Sequence, residues 1–195
     1  MIMKKMPTNG LSAQRGFSML ELVVVVAMIM VLSAISVPKI VNSMSVYKLN
    51  VASTSIQNLI EVARFNAVRR NTTISLRQTV INGQAAFYVD VPNSGAYANT
   101  DPTYMVPTTV QVAPTGAPAG STTGLANTAA LGGGCISFNS RGVVDYTNCG
   151  GGVQSVWFIS LGLTNGNGGY RAITLTPMGQ AKSWTAPTSG TWGTM

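Results

Sequence analysis

Arg15-Gly16-Phe17-Ser18-Met19-Leu20-Glu21-Leu22 heads an apolar run that lasts to Val37, and its reading decides the fold. Glu21 is the one charge between Phe17 and Val37, a span of 21 residues. As a helix this span reaches ~31 Å at ~1.5 Å per residue, enough to cross a bilayer core. A carboxylate inside such a segment costs roughly 2–3 kcal/mol or more near the bilayer centre, so it points to a function and to a partner. A secretory signal peptide would have a shorter apolar core and a small-residue cleavage site directly after it; no Ala-x-Ala stands in the residues immediately after Val37. A plain single-pass anchor fits the length but gives no reason for Gly-Phe-x-x-x-Glu at its start. Lys4, Lys5 and Arg15 precede the span and only Lys39 lies just beyond it, so the positive-inside rule places the C-terminal part in the periplasm.

The segment Gly16-Phe17-Ser18-Met19-Leu20-Glu21 resembles the class III signal of type IV pilins and type II secretion pseudopilins. The resemblance implies cleavage by a prepilin peptidase after Gly16 and N-methylation of Phe17. Glu21 then becomes the fifth mature residue, and Pro38 falls where many pilins kink this helix. Residues 1–16 would be the leader, polar and basic as suits a cytoplasmic tag. Cleavage exposes a cationic amine on Phe17, and a carboxylate one turn along can meet the amine of a neighbouring subunit. Buried charges are tolerated when paired and strongly unfavourable when a partner is missing, so the pair would set axial register during assembly. The partners implied are other pilins or pseudopilins, the peptidase and an inner-membrane assembly platform. The expected location is the inner membrane, single-pass, and then a filament.

Composition agrees with that compartment. Removing the leader leaves 179 residues with nine Lys/Arg against five Asp/Glu, so a precursor charge of +7 falls to +4. The length beyond the span allows one modest globular domain. There is no histidine, and in an oxidising periplasm Cys135 and Cys149 read most simply as a disulfide. Two cysteines without histidine support do not suggest a metal.

Leu49, Ala52, Ile56, Leu59, Ile60, Ala63 and Ala67 recur at three- and four-residue spacings, so residues 39–71 are expected to continue the helix with one apolar face. Pro38 lacks a backbone donor and predicts a kink between the two halves. From residue 72 the pattern has period two. Thr73–Thr79 and Ala85–Val91 flank Asn82-Gly83, a strong hairpin signal. Residues 92–134 are rich in Gly, Pro, Ala and Thr and read as a long loop with one strand over Tyr104–Val112. Cys135–Phe138 with Val143–Tyr146, and Val156–Leu161 with Tyr170–Thr176, make two further hairpins. The sum is an α+β fold: a long N-terminal helix, its first half in the membrane, packed on an antiparallel β-sheet head at residues 72–195, the lollipop shape of type IV pilins.

Three head segments resemble the GspH/FimT branch of that superfamily: Ala63–Asn71, Ile136–Gly142 and Ile173–Lys182. The branch includes DNA-binding members with a Gly-Arg-x-Arg motif, which here reads Gly179-Gln180-Ala181-Lys182. Arg171, Lys182 and Trp184 remain candidates for touching a phosphate backbone or stacking a base, and Arg69 and Arg70, with Arg64 and Arg77, form a second candidate patch. Useful affinity needs several clustered cations, so DNA is not the favoured partner. With no histidine, and Asp90, Asp101 and Asp145 as the acids of the head, no nucleophile–base pair or metal cluster can be assembled, and no enzyme activity or cofactor is expected. The function expected is a structural subunit of a type IV pilus, a minor pilin; the alternative is a type II secretion pseudopilin, and third a DNA-uptake pilin.

Overall fold

The computed structural model describes residues 17–120, 128–130, 134–145, 149, 156–188 and 190–195. The leader, including the expected cleavage residue Gly16, lies outside them, as do Tyr146 and parts of the long loop. One helix, α1, runs for 52 residues over Met19–Arg70 and passes through Pro38. The chain divides into two compact units, Met1–Ile40 and Val41–Met195, with the boundary two residues past Pro38.

The C-terminus of α1 stops for a local reason. Asn71 adopts a left-handed φ of 51°, which asparagine tolerates better than most side chains. Asn71 N–H then donates to Val68 C=O at 3.3 Å, and Thr72 N–H to Ala67 C=O at 3.2 Å. This pair of bonds is the Schellman pattern, and it satisfies carbonyls that the last turn would otherwise leave open.

Eleven strands are seen among the described residues. β1 (Ile74–Ile81) and β2 (Gln84–Asp90) form the expected hairpin, with Asn82 and Gly83 at φ 51° and 79° in its two-residue turn. The expected single strand over Tyr104–Val112 is instead two: β3 (Thr103–Met105) and β4 (Val110–Val112). Pro107 interrupts it, because proline offers no ladder donor. The two pieces serve different sheets, β3 pairing with β2 and β4 with a strand much further on. β5 (Thr128–Ala130), β6 (Cys135–Phe138) and β7 (Val144–Asp145) follow, then β8 (Val156–Leu163), β9 (Tyr170–Leu175), β10 (Ala181–Ala186) and β11 (Gly193–Thr194).

The expected antiparallel β-sheet head on the long helix is present, and it is built as two sheets. Their orders are β3-β2-β1-β6-β7 and β11-β10-β9-β8-β4, and β5 adds a parallel pairing to β8. Every other pairing is antiparallel. Within the second unit, the buried face of α1 (Leu49, Ala52, Ile56, Ile60, Ala63, Ala67) packs into one core with both sheets. Ile74, Leu76, Ile136 and Phe138 come from the first sheet, and Ile159, Leu161, Ile173 and Leu175 from the second. Their alternation along each strand is the period-two rule at work. A second core lies on Phe158, Tyr170, Ala172, Trp184, Ala186 and Trp192. The residues of β8 and β9 that belong to it alternate with those facing the helix, so the second sheet is covered on both faces.

Candidate functional site

The first unit presents α1 from Met19 to Ile40. Leu22 N–H donates to the Ser18 carbonyl at 3.1 Å, opening the helix, and Glu21 falls in its first turn. A carboxylate there is favoured by the helix dipole, and Ser18-x-x-Glu21 has the spacing of a capping box. Every described residue from Phe17 to Ile40 is exposed, Met19 at 86% and Leu32 at 65% among them. The segment is long and apolar enough to cross a membrane by length and composition. An apolar surface of this extent on all sides of a helix needs covering by lipid or by other helices. Glu21 is a single carboxylate at the head of that surface, with the polar end of the helix beside it.

The Cys135–Cys149 disulfide is formed, its Cα atoms 5.5 Å apart. It ties β6 to the chain that follows the β6–β7 hairpin. A run of short polar contacts extends from it. Ser137 Oγ lies 2.9 Å from Cys149 Sγ and 2.9 Å from Ser75 Oγ, and Ser75 donates to Asn93 Oδ1 at 3.1 Å.

The candidate nucleic-acid residues are dispersed. Arg171 is 9% exposed; its guanidinium donates to Asn50 Oδ1 at 2.7 Å, to Thr185 Oγ1 and to the Tyr170 carbonyl. Burial pushes its pKa down. Trp184 is buried, its indole N–H donating to Thr174 Oγ1 at 2.9 Å, with Lys182 Nζ 4.6 Å from its ring centroid. Arg171 and Trp184 are therefore core groups, which corrects their reading as a phosphate contact and a base-stacking platform. Arg77 is paired with Asp90 at 3.0 Å, and Arg64 donates to a backbone carbonyl. Arg69 and Arg70 remain exposed at the end of α1, as does Lys182 on β10.

Two arrangements escaped the sequence reading. Asp90, fully buried, accepts from Arg77 Nε, from Ser94 N–H at 2.9 Å and from Gly95 N–H at 2.7 Å, so one carboxylate organises the turn after β2. Asp followed by Ser-Gly four residues on is a turn-like signal, but nothing in the sequence names Arg77 as its partner. The second arrangement joins Arg64, Gly142 and Gly179. Arg64 Nε–H donates to Gly142 C=O at 3.1 Å, and Val144 N–H donates to Pro177 C=O at 3.0 Å. The helix end and two turns, one from each sheet, meet there. Among the described residues no group of three or more His, Cys, Asp or Glu is gathered to hold a metal ion.

Residues 11–37 match the prokaryotic N-terminal methylation motif. No curated protein matches the chain. Among solved structures the chain is similar to the type IV minor pilin FimU of Pseudomonas aeruginosa, in two crystal forms, at 13% and 16% identity. Both alignments have a TM-score of 0.43 and cover 76% and 75% of this chain and 95% and 98% of that one. It is also similar to the minor pseudopilin EpsH from the type 2 secretion system of Vibrio cholerae, at 11% identity and TM-score 0.44, covering 71% of this chain and 97% of that one.

Proposed function

We propose that this chain, a member of the type IV pilin and pseudopilin superfamily, is a minor pilin: a structural subunit stored in the inner membrane and assembled into a type IV pilus. The observation that carries the reading is the N-terminal methylation motif over residues 11–37, continuous with a helix exposed and apolar on every side. In the proposed sequence of events, prepilin peptidase cuts after Gly16 and the Phe17 amine is methylated. The Phe17–Val37 segment holds the subunit in the bilayer with residues 41–195 in the periplasm. The assembly platform then moves it into a bundle of like helices, where Glu21 meets a neighbour's Phe17 amine. An uncompensated charge in such a bundle is strongly unfavourable, so the pair selects one axial register. Pro38 lets the helix bend where the membrane segment gives way to the docked one.

Intact mass and N-terminal sequencing of the protein from membranes and from sheared surface filaments test this reading. A chain beginning at methylated Phe17 in the sheared fraction is expected. The same processed chain confined to membranes would move the assignment to a secretion pseudopilin. A terminus at Met1 would overturn both. A Glu21→Ala variant is expected to insert and be cleaved normally while its incorporation into filaments drops; normal incorporation would remove Glu21 from the assembly role.

A further inference from the structure

The loop between β8 and β9 closes on α1 just past the apolar span and leaves a cleft of ≈ 520 Å³ between them. Asn42, Tyr47 and Asn50 line it from the helix, and Leu163, Asn165 and Asn167 from the strand end and the loop. The closure depends on Gly168, whose φ is 85° and where a Cβ would lie 2.8 Å from Val46 Cγ2. Among the described residues no carboxylate lines the cleft.

The amides are set as donors. Arg171 Nε donates to Asn50 Oδ1 at 2.7 Å. A guanidinium carries donors only, so the Asn50 carbonyl is turned to it and the two amide N–H groups are left for the cleft. At Asn165, Oδ1 accepts from Asn167 N–H at 3.1 Å, which again leaves the amide N–H groups. Behind Asn50, Arg171 is buried, and the acceptors it bonds, on Asn50, Thr185 and the Tyr170 backbone, are all neutral. A buried cation among neutral groups is unfavourable and gains from an anion close by. An oxygen bonded to Asn50 Nδ2 would lie within about 8 Å of Arg171 Nε, inside one Debye length. Donors without an acid, backed by a cation, select an anion.

The position along the chain indicates which anion. The apolar run ends at Val37, and the five residues to Asn42 reach at most ~18 Å. The headgroup layer is about 5–7 Å deep on each side of the hydrocarbon core. Tyr47, 69% exposed, is of the side-chain type that settles at the boundary between lipid and water.

We propose that this cleft holds the phosphodiester headgroup of an anionic phospholipid of the outer leaflet while the subunit is stored in the inner membrane. Asn42, Asn50, Asn165 and Asn167 are the donors, and Arg171 positions Asn50. The proposal rests on the membrane-stored subunit reading. The bound headgroup tethers residues 41–195 to the leaflet, and extraction into a filament breaks that contact.

The test takes the full chain from its native membranes into nanodiscs of equal phosphatidylglycerol and phosphatidylcholine and weighs the released chain by native mass spectrometry. One phosphatidylglycerol per chain is expected to be retained in preference to phosphatidylcholine. Retention should fall at least about tenfold in Asn50→Asp, and likewise in a double variant, Asn42→Ala with Asn167→Ala, at two exposed positions. Asn50→Asp gives Arg171 a counter-ion, so its urea midpoint should hold or rise while the lipid is lost; a purely structural Asn50 would not separate the two. Equal retention of both lipids would overturn the proposal, as would retention unchanged in the variants or displacement of the lipid by millimolar inorganic phosphate. The chain mass in the same spectrum separates the two readings. A chain beginning at Phe17 that keeps no phosphatidylglycerol sinks the cleft proposal alone, and a Met1 terminus with the lipid retained sinks the filament-subunit reading alone.

Discussion

Arg64 donates from Nε to the carbonyl oxygen of Gly142 at 3.1 Å, joining the last turns of the helix to a hairpin turn 78 residues later. Gly179 from the second sheet closes on the same point. The long helix is thus pinned at its C-terminal end by one side chain and two glycines, each in a conformation other residues adopt poorly: φ is 72° at Gly142 and 79° at Gly179.

That junction predicts an order of stabilities. Gly179→Ala adds a methyl 2.6 Å from a backbone oxygen at a left-handed φ, and is expected to cost about 2–4 kcal/mol. Arg64→Met keeps the aliphatic stem and loses the charged donor, for about 1–2 kcal/mol. Urea unfolding of the detergent-solubilised chain measures both, and an Arg64→Met loss exceeding that of Gly179→Ala would contradict the arrangement.

Asp90 holds the turn after β2 through Arg77 Nε and two backbone N–H groups. Asp90→Asn removes the charge and replaces one acceptor by a donor, facing donors that cannot turn away. The expected loss is about 2–4 kcal/mol. Proteolysis should begin in residues 93–101, and a variant as protease-resistant as the parent would show that the turn stands without the carboxylate.

The disulfide closes a loop of 14 residues in sequence separation. Replacing both Cys135 and Cys149 by Ala is expected to lower stability by about 3 kcal/mol. The change should spare α1 and the second sheet, to which Cys135 does not belong. Hydrogen exchange resolves the two regions; uniform loss of protection across the head would refute a local role.

Burial pushes the Tyr88 and Tyr104 phenols above their ordinary pKa of 10.0; at Tyr88 the Arg77 charge opposes this and Asp90 and Asp101 add to it. The folded state therefore keeps these protons after the unfolded chain has released them. Their contribution is complete below pH 10 and falls away as pH rises through the folded-state values. Tyrosinate absorbance should show these two phenols titrating late, together with unfolding, and Tyr88→Phe should shift the alkaline midpoint upward.

The elements governed by short-range patterns were legible in the sequence. The apolar run with its one carboxylate fixed the helix, three- and four-residue spacing identified its buried face, and Asn82-Gly83 marked the first hairpin. Each depends on side chains a few residues apart. The split of the 104–112 strand between two sheets, the parallel entry of β5 and the second aromatic core depend on partners far along the chain. Arg171 and Trp184 show the difference most clearly. In sequence they are a cation and an aromatic suited to a nucleic acid, and only the tertiary structure places them inside, bonded to Asn50 and Thr174. A side chain's type is local information, whereas its exposure depends on what the rest of the chain packs against it.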